Sequence, residues 1–322
     1  MMLHFQLNTI VVALISVISN ITPSFSQTNT LSLFDYAPLE ERGVGFISLS
    51  DIYMVDGQAI PDIIKLGIEN AEYIPLPSPY REHFLSGCQL TELDSVFIYN
   101  YENDILKGFQ IKQLKVVAML DFYTTEGDWP YNQENYMVGF EINNKDLTEF
   151  NEELSQVIIA VGKRNPFERG SITPIIWSRI ESSDQGYLSK IPDNKTIFLD
   201  LEIPPHRIGE HYKYDTDTYF YSLKNLINTE NEVFARHLVI LNKQTMKVVS
   251  ERIFDETEGI TLSKLNVTDE ANDFWDSQWT GKLFKHKAPV VFGFQYFSFG
   301  CPTMIVLDPA EDDLYINCDN RH

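Results

Sequence analysis

With 322 residues the chain holds material for one large domain or two ordinary ones around a buried core, and 43% hydrophobic against 22% charged residues argues against long disordered spans. Its 46 Asp and Glu against 25 Lys and Arg leave a net charge of -21, which disfavours nucleic-acid binding and anionic membrane surfaces. Such acidity suits either simple solubility or docking on a basic protein.

Ile10 to Ser19 is an apolar or small run, too short to span a bilayer but of the length of a signal-peptide core. Pro23 and Ser24-Phe25-Ser26 follow, which predicts a signal peptide over 1–26 with cleavage before Gln27, although no Lys or Arg precedes the core. Residues 27–322 are then expected as a single β-rich domain in the periplasm or secreted, with 181–193 as the candidate boundary if there are two. No later apolar run approaches the length of a transmembrane helix, so no membrane insertion is expected after cleavage.

Residues 27–43 read as an arm or edge strand, and Gly45 to Val55 as a strand running into an Asp56-Gly57 turn. Ile60, Ile63, Ile64, Ile68 and Ala71 form a helical stripe. Pro75, Pro77 and Pro79 then predict an irregular loop. A hairpin is expected from Val96 to Tyr101 and Ile105 to Ile111, followed by a strand from Val116 to Tyr123. Thr124 to Asn135 is a polar loop carrying Trp129 and Tyr131; exposed, these aromatics are candidate binding residues, and folded back they form a lid on the core.

Tyr136 to Ile142 reads as a strand and Asn144 to Leu154 as a short helix, with further strands at Val157 to Val161, Ile172 to Trp177 and Ile197 to Ile203. His206 to Asp217 reads as a charged loop, Tyr219 to Ser222 as a strand, and Val233 to Leu241 with Lys247 to Phe254 as a hairpin. Thr268 is placed to cap a helix over 269–280 that Gly281 ends. Val290 to Phe294, Thr303 to Asp308 and Leu314 to Cys318 are the closing strands. The fold class is therefore mainly β (α+β), stacked antiparallel sheets with a few short helices. A short similarity between the segments starting at Asn132 and Asn228 hints at sheet repetition.

Export allows disulfides, and Cys301 with Cys318 is the leading pair. With a five-residue loop from Pro309 to Asp313, Met304 faces Cys318 and Cys301 lies about 10 Å too far along, so the bond requires a bend at Gly300 to Pro302. His206, Glu210, His211 and Asp215 crowd imidazole and carboxylate together, a candidate set for zinc or calcium. Glu126 with Asp128, or Asp308, Asp312, Asp313 and Asp319, are candidate acid and base for glycoside hydrolysis. The terminal Arg321 and His322 add a cation and an imidazole at the chain end.

No GxSxG, GxxxxGK[ST], strand-following GxGxxG, HExxH or CxxC motif is present. The sequence thus points first to an exported soluble binding or inhibitory protein, such as an immunity-type partner of a basic protein. A carboxylate-dependent hydrolase acting on a glycan or other polymer is the alternative.

Overall fold

Val290, Val291 and Phe292 are consecutive, apolar and all buried, the signature of a strand covered on both faces. In the computed structural model, which describes residues 31–53, 58–150, 154–191, 197–198, 201, 203–268 and 278–319, they sit inside a nine-stranded sheet. Its order is Ile172–Pro174, Trp279–Gly281, Val290–Phe292, Thr303–Val306, Leu314–Asn317, Leu33–Phe34, Val157–Gly162, Ser95–Asn100 and Ile105–Gln110. The sheet curls into a half-barrel. Tyr101, directly after Ser95–Asn100 near one edge of the sheet, meets Trp279 and Phe292 near the other at ring separations of 5.1 and 5.2 Å.

Alternation along these strands sorts side chains into separate cores. Leu33, Tyr99, Ile158, Val290, Phe292 and Met304 point into the curl. On the opposite face Phe34, Val96, Ile98 and Ile159 pack against Ile47, Val116, Ala118, Val138 and Phe140. These belong to a five-stranded sheet ordered Ala37–Leu39, Val44–Ser48, Tyr136–Asn143, Lys115–Leu120 and Tyr73–Pro75. Farther along the nine-stranded sheet, Val291 and Ile305 pack on Tyr212, Tyr221, Leu223, Leu238 and Ile240. That second partner is a meander of Ser178–Arg179, Arg207–Asp215, Tyr219–Ile227, Val233–Asn242 and Lys247–Asp255. The expected stacked, mainly β architecture with short helices is what the chain adopts.

Gly139, central in the first five-stranded sheet, shows why its position tolerates nothing larger. A Cβ there would lie 1.9 Å from the Ile47 carbonyl oxygen, so the close strand approach depends on its absence.

Several elements differ from expectation. Leu33–Phe34 is no edge: it runs parallel to Leu314–Asn317 and antiparallel to Val157–Gly162. The stripe from Ile60 forms two single turns, Ile63–Leu66 and Ile68–Ala71, parted by Gly67 at φ 74°. Pro75 closes a short strand at a sheet edge, where its missing N–H costs no ladder bond, and a helix the proline spacing hides, Tyr80–Gly87, follows Pro79. Asn144–Phe150 is a 3-10 helix burying Leu147 and Phe150. The expected loop at 206–217 is largely the strand Arg207–Asp215, and the strand from Tyr219 runs on to Ile227.

Ile197 and Phe198, expected in a strand, are helical, and Leu201 N donates to the Ile197 carbonyl. The end of the expected 269–280 helix is the strand Trp279–Gly281, because Trp279 pairs with Phe292 and Pro174. The similarity between the Asn132 and Asn228 segments stops at one strand and an Asn turn: Tyr136–Asn143 lies between Val44–Ser48 and Lys115–Leu120, whereas Val233–Asn242 belongs to a sequential meander. The expected signal peptide over 1–26, the expected turn at Asp56-Gly57, residues 269–277, Arg321 and His322 lie outside the described residues.

Cys301 and Cys318 form a disulfide with a Cα–Cα separation of 5.4 Å. The ladder pairs Met304 with Leu314 and Thr303 with Tyr315, so Cys301 lies level with Asn317, one residue from its partner. The closing loop is longer than expected: Ile305 and Val306 pair with Val291 and Val290 on their other edge only, and on the loop side Val306 N donates to the Asp313 side chain at 3.3 Å in place of a ladder bond.

Candidate functional site

Residues 121–135 contain four carboxylates, Asp121, Glu126, Asp128 and Glu134, and no Lys or Arg. Asp121 ends the preceding strand: its Oδ1 accepts from the Tyr123 and Thr124 amides at 2.9 Å, and its Oδ2 from Thr124 Oγ1 at 3.0 Å. Such side-chain mimicry of a turn outcompetes strand continuation. Phe122 and Tyr123, expected as the end of a strand, are instead 64% and 60% exposed.

Beyond them two 3-10 turns fix the loop. Asp128 Oδ2 accepts from Thr125 N at 2.8 Å and from Thr125 Oγ1 at 3.0 Å, bonds that hold its carboxyl below the usual range. Asn135 closes the second turn by accepting from Asn132 N at 3.0 Å, and it donates to Thr124 Oγ1 at 3.0 Å. The loop therefore has a definite shape without a hydrophobic core of its own.

Trp129 and Tyr131 fold back in the manner of the lid. Trp129 is half-buried and meets Tyr131 edge-on at 5.2 Å, and Tyr131 meets Tyr136 of the first core at 6.4 Å. Tyr131 is only 5% exposed, and its buried hydroxyl has no hydrogen-bond partner. It also lines two clefts. The larger, about 1180 Å³, is walled by Gln58, Tyr80, His83, Asn132 and Glu134 among others. The smaller, about 350 Å³, has Leu39, Arg42, Glu72, Met119 and Glu126 in its wall. Arg42 lies 4.3 Å above the Tyr73 ring at that cleft. Tyr73 donates to Glu141, which also pairs with Lys115 Nζ at 2.8 Å.

The residues proposed for metal binding are drawn to separate partners. Glu210 and His211 are successive residues of one strand, so their side chains leave on opposite faces. Glu210 accepts from Tyr212 Oη at 2.8 Å and from Arg179 at 2.9 Å, and both bonds lower its pKa. His211 Nε2 lies 2.6 Å from Ser222 Oγ, His206 Nδ1 lies 2.9 Å from the Pro204 carbonyl, and Asp215 pairs with Lys243 at 3.2 Å. Among the described residues no group of three His, Cys, Asp or Glu side chains is arranged to hold zinc, calcium or another metal ion.

The terminal carboxylates are likewise dispersed. Asp313 pairs with Arg252 at 2.9 Å, Asp308 caps Ala310 N at 2.9 Å, Asp319 accepts from Ser48 Oγ at 2.5 Å, and Asp312 is exposed. The site features that the sequence did not disclose are the exposure of Phe122 and Tyr123 and the place of Glu72 in a cleft wall. The signal for the first two was Asp121 followed by Thr124, a turn pattern embedded in an apolar run. Comparison with protein-family models, curated proteins and solved structures finds no significant match, so the reading of the site rests on its own chemistry.

Proposed function

We propose that the protein is an exported, non-enzymatic binding or inhibitory protein that docks on a basic protein partner, in the manner of an immunity protein, through the loop 121–135. The observation that carries this reading is the exposure of Phe122 and Tyr123 on a loop with four carboxylates and no basic residue. Large aromatics held out in water lose the hydrophobic gain of burial, and at interfaces they serve as anchors. Carboxylates around them steer a cationic surface toward them and repel an anionic one. The net charge of -21 extends that field over the whole molecule.

Two features support export. The apolar run before Gln27 fits a signal peptide, and the Cys301–Cys318 disulfide is consistent with an oxidising compartment. Among the described residues no helix is long and apolar enough to cross a membrane.

The test is selection of random displayed peptides on the immobilised protein. The selected peptides are expected to be rich in Lys and Arg, to lose at least tenfold in affinity on the Phe122→Ala/Tyr123→Ala double variant, and to weaken in 0.5 M salt, consistent with screening of opposed charge. Peptides without basic character, or with equal affinity for the double variant, would overturn the reading.

A further inference from the structure

We infer that the outer face of the meander, the one turned away from the nine-stranded sheet, opens in acid: proton uptake by His211 and His237, on either side of Lys224, releases the turns Ser182–Asp184 and Gln185–Leu188 from that face and bares the apolar side chains beneath them. The device stands apart from loop 121–135 and holds whether or not that loop docks a partner.

Three observations converge there. The first is register. His211 stands opposite Lys224, and Lys224 opposite His237, on three neighbouring strands, so the three side chains form one row across the face. The row carries one cation while both imidazoles are neutral and three adjacent cations once both are protonated. Like charges directly opposite each other on a sheet are destabilising.

The second is the balance of charge around the row. Glu251 meets His237 at 2.8 Å. Asp184, from the first turn, pairs with Lys213 at 2.7 Å and also acts on His211. Asp215 pairs with Lys243 at 3.2 Å, and Glu181, exposed at the start of the turns, acts on Lys213. His206 acts on His237 from across the Phe198 ring, which lies 5.0 and 5.2 Å from the two imidazoles. Lys213, Lys224 and Lys243 thus stand against Asp184, Glu251 and Asp215, and each proton taken up adds a cation that no further buried carboxylate offsets. Burial, with Lys224 adding to it, holds both imidazoles below their usual range. His211 is bonded to Ser222 and belongs to no metal-holding group among the described residues.

The third is the cover itself. Phe220, Leu226 and Val239 are buried, although strand alternation points them away from the core that holds Tyr221, Leu223 and Leu238. Tyr187 of the second turn stacks on Phe220 at a ring separation of 4.8 Å, and Lys243 Nζ lies 5.7 Å from the Tyr187 ring. From Ser183 to Leu188 only Asp184 is buried. One ion pair and one ring stack therefore hold these turns down, and elements with so few buried contacts open before a core does. Protons are taken up by the state in which the imidazoles reach water, and lifting this cover hydrates them with the least loss of packing.

The experiment is amide NMR of the full chain in steps from about pH 7 to about pH 4, with the Asp184, Ser189, Lys190 and Ile191 amides, which donate within or just after the turns, as reporters of the cover. These amides are expected to move to random-coil positions as pH falls, while those of Val96, Ile98 and Tyr99 keep their folded positions. Binding of an apolar dye should rise over the same interval. In His211→Asn/His237→Asn the reporters are expected to stay in place. Lys224→Met removes the middle cation and eases proton uptake in the closed state, so its opening midpoint is expected at least about half a pH unit below the native one. Reporters that stay in place in the native protein, or that move only together with Val96, Ile98 and Tyr99, would overturn the inference. So would an unchanged midpoint in the double variant, which would assign the opening to the carboxylates. Should the double variant fail to fold at neutral pH, the Lys224→Met midpoint decides, and an unmoved midpoint there overturns the inference equally.

Discussion

His211 illustrates how a residue's surroundings decide its chemistry. Its imidazole is pushed down to about 4, first by burial and then by the neighbouring Lys224 and His237 charges, with Asp184 opposing. His237 is also held low by burial, although Glu251 lies 2.8 Å away and works against the shift. A group whose folded pKa is depressed stabilises the fold above its unfolded pKa. Between about pH 6.5 and about pH 4 the unfolded chain binds the His211 proton more readily, so the folded state loses ground as pH falls through that window. At about 1.36 kcal/mol per pKa unit the full effect is about 3 kcal/mol, and partial exposure reduces it to on the order of 2 kcal/mol. We expect the thermal midpoint to fall from pH 7 to pH 4.5 in the native protein and to fall distinctly less in His211→Asn. Parallel curves for the two proteins would count against this assignment. The crowding of His206, Glu210, His211 and Asp215 was legible in the sequence. Their facing was not, because the stretch reads as a charged loop, whereas in the strand Arg207–Asp215 Glu210 turns to Tyr212 and Arg179 and His211 to Ser222.

At the scale of elements, legibility followed the contrast between the two faces of a strand. The hairpin Ser95–Asn100 with Ile105–Gln110 and the pair Val233–Asn242 with Lys247–Asp255 stand close to expectation, because aromatic and β-branched residues run through them. Arg207–Asp215 escaped because Tyr212 is its one fully buried residue and charged side chains occupy half of the other positions. The closing hairpin failed in register for a different reason. Counting along one ladder assumes that both strands stay in it, whereas beyond Met304 and Leu314 the chain departs from the ladder and Ile305 and Val306 pair on their other edge only. Asp313 stabilises the wide loop that results, accepting from Val306 N at 3.3 Å and pairing with Arg252. Closing a separation of 17 residues, the disulfide is expected to contribute about 3 kcal/mol by restricting the unfolded chain. The Cys301→Ser/Cys318→Ser variant should show that loss in its urea midpoint. Labelling of the denatured, unreduced native protein should find one thiol, Cys88. An unchanged midpoint with three reactive thiols would refute the pairing.

For the molecule as a whole, the nine-stranded sheet is the shared wall. One of its faces is divided between the first five-stranded sheet and the meander, and the other lines the curl. A residue step along a single strand, from Val290 to Val291 or from Leu33 to Phe34, crosses from one core to another. Loss of the first small sheet exposes apolar surface on Leu33–Phe34, Ser95–Asn100 and Val157–Gly162, and loss of the meander exposes it on Val290–Phe292 and Thr303–Val306; the opposite faces of both groups of strands share the core in the curl, which couples the cores energetically. Three tryptophans lie where each core can be watched: Trp129 against the first, Trp279 in the curl, and Trp177 under the meander. Variants that keep one of these three, with the other tryptophans including Trp275 replaced by Phe, separate the reports. Each substitution changes stability, so every variant is also followed by far-ultraviolet circular dichroism as its own reference. We expect fluorescence and circular dichroism to give coincident urea transitions in all three variants, as a single cooperative unit requires. If the Trp177 signal were lost at clearly lower urea than the circular-dichroism transition while Trp129 kept pace with it, the meander would be an independently unfolding domain, and the central sheet would be a boundary between units instead of the element that unites them.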